Sequence, residues 1–228
     1  MQSVMRWTLL ATAGLMSLTS CATAQSPAGG EKMSFFITSV GPGKGADLGG
    51  LEGADQHCQS LAKAAGAGDR TWRAYLSTQG SALNDPKVVH ARDRIGNGPW
   101  YNAKGVMIAK NVDDLHSASN NLNRQTALDE KGGLVNSRAE TPPKHDILTG
   151  SRPDGTAFPG APFPDMTCGN WTKSGKDGSA MTGHFDRAGL VNHPWATSWN
   201  SSHPTLGCSQ ETIRPTGGDG LLYCFAVK

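Results

Sequence analysis

The chain has 228 residues, a formal net charge of +2 and only 18% charged residues, with glycine at 29 positions. Near-neutral charge with scattered basic residues excludes the electrostatic footprint of a nucleic-acid binder. Abundant Gly, Pro, Ser and Asn favour a loop-rich fold over a helical bundle.

The N-terminus runs from Arg6 through an apolar segment, Trp7 to Leu18, into small residues, the order of a bacterial export signal. Leu18-Thr19-Ser20-Cys21 matches a lipobox, which makes Cys21 the expected lipidation site. Ala22-Thr23-Ala24 offers the alternative, ordinary cleavage after Ala24. Either route leads out of the cytoplasm, to the outer membrane, the periplasm or the medium. No later stretch stays apolar for eighteen residues, so membrane contact is expected only through a lipid on Cys21. The expected organisation is an export signal over 1–24, a flexible tether over 25–32 and one domain over 33–228, long enough for its own core.

Ser34 to Val40, SFFITSV, predicts the first strand. The following GPGKGADLGG is glycine-rich but is no dinucleotide fingerprint. Its third glycine would fall at Ala46, Pro42 sits in the turn, and the next helix starts too late to face a pyrophosphate. No cofactor is expected. Ala54, Cys58, Leu61, Ala62 and Ala65 recur at helical spacing, and Gly66 or Gly68 can close that helix. Trp72, Ala74 and Leu76 then alternate with Arg73, Tyr75 and Ser77 as a half-buried strand. Asn111 to His116 predicts a second short helix. From Glu140 to Gly220 few runs are long enough for regular structure, and His145-Asp146 reads as a structural pair in a turn before Ile147 and Leu148. Leu221 to Val227 predicts the last strand, with Leu222, Cys224 and Ala226 on one face.

Of five cysteines, Cys21 belongs to the export segment. Cys58, Cys168, Cys208 and Cys224 remain, and in an oxidising compartment they predict two disulfides with three connectivities open. No CxxC spacing points to zinc or redox work.

One stretch has a concentrated functional composition: HFDRAGLVNHPWATSWNSSH, His184 to His203. Tryptophan faces stack on sugar rings, while Asn, Asp, Arg and His side chains bond hydroxyls. Trp195, Trp199, Asn200, Asp186, Arg187 and His193 are therefore the candidate ligand-binding residues. The competing role for Trp171, Trp195 and Trp199 is core packing, and Trp195, after Pro194, is the best exposed candidate. Histidines 184, 193 and 203 fit no familiar ligand pair such as HExxH, so no metal is expected. No GxSxG elbow exposes a serine, so no catalytic residue is expected.

Taken in order, GADQHC, TWRAYLST, HARDRIG, ILTGSRPDGT, TCGNW, SWNSSHPTLGCSQ and LLYCFAV resemble endostatin, and the exported bacterial proteins of that superfamily commonly described as lectins. The resemblance spans Ser34 to Val227. It implies an α+β, C-type-lectin-like (endostatin-like) domain with two short helices, an irregular mixed β region and long loops, its first and last strands adjacent. It also implies nested disulfides, Cys58 to Cys224 outside and Cys168 to Cys208 inside. The zinc site of endostatin is not carried over, because no histidine precedes Ser34 and Gly105 stands where its aspartate ligand is expected. Calcium-dependent sugar binding is not carried over either: Trp199-Asn200-Ser201 lacks the lectin aspartate, and no Glu-Pro-Asn or Gln-Pro-Asp occurs. Arg73, Arg92 and Arg94 fall in segments matching endostatin's heparan sulfate surface, but the remaining basic patch is missing. The resulting expectation is a non-catalytic, calcium-independent carbohydrate-binding domain outside the cytoplasm. A protein-binding adhesion or envelope-assembly module is the alternative.

Overall fold

The computed structural model describes Met1 and residues 32–227. The lipobox, Cys21 and the tether up to residue 31 lie outside the described residues. Helix α1, Gly50–Ala64, buries Ala54, Cys58 and Ala62 along the stripe its spacing predicts, together with Asp55. Gly66, at φ 80°, supplies the left-handed residue that ends it. Asp55 ties the helix to its neighbours. One carboxylate oxygen accepts from Arg73 and Arg94, both at 2.7 Å, and the other accepts the Ala74 N–H at 2.9 Å. Where two helices were expected, α1 is joined by single helical turns at Ala91–Arg94, Val112–Leu115 and Gln210–Ile213. Asn111 caps the second of these, accepting from the Asp114 N–H.

The strands are β1 (Phe35–Ile37), β2 (Thr71–Ala74), β3 (Trp100–Tyr101), β4 (Met107–Ala109), β5 (Asp146–Leu148), β6 (Met181–His184), β7 (His203–Pro204) and β8 (Gly218–Val227). The larger sheet runs β1-β8-β5-β6-β7, with β2 also paired to β8, and β3 and β4 form a separate pair. β8 is the hub. It pairs antiparallel with β1 and β2 and parallel with β5, so the first and last strands are adjacent.

Alternation along β8 divides the core in two. Tyr223 and Phe225 join Phe35, Tyr75, Trp100 and Trp199 in one cluster. Leu222, Cys224 and Ala226 join Phe36, Trp72, Trp171 and the apolar face of α1 in the other. Both disulfides lie in this second cluster, as Cys58–Cys224 and Cys168–Cys208, the nested pairing that the resemblance implies. At TCGNW the four residues Cys168 to Trp171 all have positive φ, a single left-handed turn where only Gly169 is free of steric cost. Asn170 stabilises it by bonding both the N–H and the carbonyl of Gln79. No helix among the described residues is long and apolar enough to cross a membrane.

Candidate functional site

β5, β6 and β7 lie side by side, and their register gathers a group of titratable side chains. Asp146 stands directly opposite His184, and His203 stands opposite Thr182. Opposed residues share a face, as do residues two apart on one strand, so Asp146, His184 and His203 converge on one side of the sheet. His145, immediately before β5, stacks its ring on that of His184 with centroids 4.3 Å apart. Gly217 leaves room for this ring: its φ is 109°, and a Cβ there would stand 2.8 Å from the imidazole.

Asp146 is the centre of the cluster. His184 Nε2 lies 3.1 Å and His145 Nε2 3.2 Å from its Oδ1, and His203 Nε2 lies 3.6 Å from its Oδ2. The two Oδ1 contacts are close but lack hydrogen-bond alignment and the Oδ2 contact is too long, so neither buried oxygen accepts a hydrogen bond. Burial by itself would raise the carboxyl pKa. The attraction of His184, His203 and His145 outweighs it and holds Asp146 well below the usual carboxylate range. Conversely, burial disfavours charge on His203, but Asp146 raises its pKa on balance. Asp186 sits behind His145, accepting from its Nδ1 at 3.1 Å and from the Arg138 N–H at 2.8 Å. Burial opposes its ionisation too, and these donors lower its pKa.

Between His184 and His203 the chain leaves the sheet as a loop whose feet are the two histidines. The residues singled out from sequence divide into three groups. Asp186 and Arg187 fix the first foot; the Arg187 guanidinium donates to the Leu122 carbonyl at 3.1 Å and to Asn120 Oδ1 at 2.7 Å. Trp199 takes the core-packing role rather than the ligand-binding one, and Asn200, a candidate for the ligand surface, is buried as well. The Trp199 ring packs on Tyr75 and Tyr223, and its carbonyl accepts the Tyr223 hydroxyl at 2.7 Å. The Asn200 amide donates to the Tyr75 hydroxyl and to the carbonyls of Arg152 and Pro153, so it has no spare donor for a sugar. Only His193 and Trp195 remain accessible. They lie in a run over 190–195 in which every residue is exposed, with their rings 5.8 Å apart.

Compared with models of known protein families and with curated proteins, the chain matches none.

Of the three histidines weighed as metal ligands, His184 and His203 meet, with their Nε2 atoms 3.0 Å apart, while His193 points elsewhere in the loop. Among the described residues, those able to hold a metal are His145, Asp146 and His184, whose ligand atoms lie within 4.8 Å of one another, with His203 alongside. The His145-Asp146 pair was legible, but its role was not, because the histidines that complete it come from strands about 40 and 60 residues further on. Arg73 and Arg94 are engaged by Asp55, and Arg92 by Asp113 and the Asp154 carbonyl. The three arginines thus have structural partners.

Proposed function

We propose that the chain is a non-catalytic, exported binding module of C-type-lectin-like fold that takes carbohydrate through the tip of the loop between β6 and β7. The observation that carries this reading is Trp195, 53% exposed on a loop whose two feet are fixed in the core. An indole held open to solvent on a rigid base presents an apolar face suited to a sugar ring without calcium. His193 beside it offers ring nitrogens to hydroxyls. Two disulfides accord with an oxidising compartment outside the cytoplasm. A glycan array run with and without a calcium chelator tests the reading. Trp195→Ala should weaken binding by about 1–2 kcal/mol and leave the unfolding transition unchanged, because the ring fills no core space.

A second reading rests on Leu190 and Val191, 85% and 50% exposed beside Trp195. Such an apolar tip also fits an envelope protein as partner. A silent array, together with loss of cross-linking to an envelope protein in Leu190→Asp, favours this reading. Membrane tethering through Cys21 is tested separately by fractionating cells that express Cys21→Ala, which should release the protein.

A further inference from the structure

We infer that His145, Asp146, His184 and His203 bind one divalent transition-metal ion of the zinc class. The inference is independent of the loop tip and of any sugar, since it uses no residue between 190 and 195.

The first argument is distance. Four ligands held at about 2.0–2.1 Å around a tetrahedral ion stand about 3.3 Å from one another. The observed separations are 3.1 Å and 3.2 Å from Asp146 Oδ1 to His184 and His145, 3.0 Å between His184 and His203, and 3.6 Å from Asp146 Oδ2 to His203. These four separations are close to those of a coordination shell; His145, Asp146 and His184 form the compact group, with ligand atoms within 4.8 Å of one another, and His203 adjoins it through His184 and Asp146 Oδ2.

The second argument is the far side of each ring. His145 Nδ1 faces Asp186 Oδ1 at 3.1 Å, His184 Nδ1 faces the Ala196 carbonyl at 2.8 Å, and His203 Nδ1 faces the Pro204 carbonyl at 3.1 Å. Carboxylates and carbonyls only accept, so each Nδ1 is placed to keep a proton while its Nε2 is given to a metal ion. A carboxylate or carbonyl behind the ring is the arrangement that orients metal-binding histidines.

The third argument is the carboxylate itself. Asp146 is 1% exposed and neither of its oxygens accepts a hydrogen bond. An ionised group buried in this way is costly unless a cation meets it. An ion at the point of convergence satisfies the carboxylate and all three lone pairs together. Three imidazoles with one carboxylate suit zinc and its neighbours; calcium and magnesium require mostly oxygen ligands. His203, with 29% of its side chain exposed, is the rim through which an ion enters.

Full-length protein with its disulfides formed, stripped with a chelator and dialysed, should be titrated with Co²⁺ and then Zn²⁺. One equivalent of Co²⁺ should give the visible absorption of a tetrahedral site, and Zn²⁺ should displace it. His203→Ala and Asp146→Asn should each lower affinity by more than about 100-fold, since losing a ligand exceeds the 10–100-fold cost of losing an outer partner. Asp186→Asn should fall within about 10–100-fold, and His193→Ala should bind as the parent does. His203 is at the rim, so its variant is expected to fold, and a non-reducing peptide map with near-ultraviolet circular dichroism verifies that. Folded parent protein without saturable binding of either metal would overturn the inference. So would affinity unchanged in folded His203→Ala.

Discussion

At the scale of single residues, exposure separates two side chains that sequence reading placed together. Trp195 projects into solvent, whereas Asn200 closes a buried network. In that network the Tyr75 hydroxyl lies 2.8 Å from His116 Nε2, whose ring is oriented by an Nδ1 contact to the Val112 carbonyl, and accepts from the Asn200 amide. Asn200→Ala would leave buried acceptors without a donor, so it is expected to destabilise the fold by about 1–3 kcal/mol in urea unfolding. Trp195→Ala should not. Asp219 provides a titration test at the same scale. It pairs with Lys144 at 2.7 Å and Arg214 at 3.2 Å, and although its burial acts the other way, these partners lower its pKa. A folded pKa below the unfolded one means stability that is fully present above the unfolded value, about 3.9, and lost as pH falls through the folded value. Asp219→Asn should therefore be less stable than the parent at pH 6, with the gap closing in urea titrations below about pH 4.

At the scale of elements, the sequence was legible where periodicity ran long enough to be read. The α1 stripe spans several residues that obey one rule, and the alternation holds over Trp72, Arg73 and Ala74; past the end of β2 it breaks, because Tyr75 and Ser77, expected on the open face, are buried together with Leu76. β5, β6 and β7 offer no such run: they have three, four and two residues, set among Gly, Pro and Ser. No local pattern can announce strands of that length, because pairing with distant segments decides them. For the same reason His184 and His203 could be seen as neighbours in composition, while their meeting with His145 and Asp146 could not. Gly183 shows how closely these strands are fitted. A Cβ there would stand 1.9 Å from the Trp199 carbonyl oxygen, and every atom it would meet, in Trp199 and Asn200, is backbone. Gly183→Ala must push the returning end of the loop away from β6, at a cost of about 1–3 kcal/mol from overpacking. If the cluster depends on this fit, the same variant should also weaken Co²⁺ binding, a loss visible in absorbance even where the protein still folds.

For the whole molecule, stability depends on how the two bridges divide the chain. Cys58–Cys224 closes 166 residues and pins α1 to β8, the strand that pairs with β1, β2 and β5. Cys168–Cys208 closes 40 residues and holds the left-handed turn at its own first cysteine. Chain entropy alone makes the outer bridge worth about 5 kcal/mol and the inner one about 4, both as upper figures. Two further effects widen the difference. Loss of the outer bridge frees the helix from the hub strand, whereas loss of the inner one lets Cys168, at φ 49°, relax toward an ordinary conformation and recover part of a strain of about 1–3 kcal/mol. Cys58→Ser/Cys224→Ser should therefore lower the urea midpoint more than Cys168→Ser/Cys208→Ser. The reverse order, measured with the remaining bridge verified by peptide mapping, would mean that the left-handed turn, rather than the hub strand, is the element on which the fold depends.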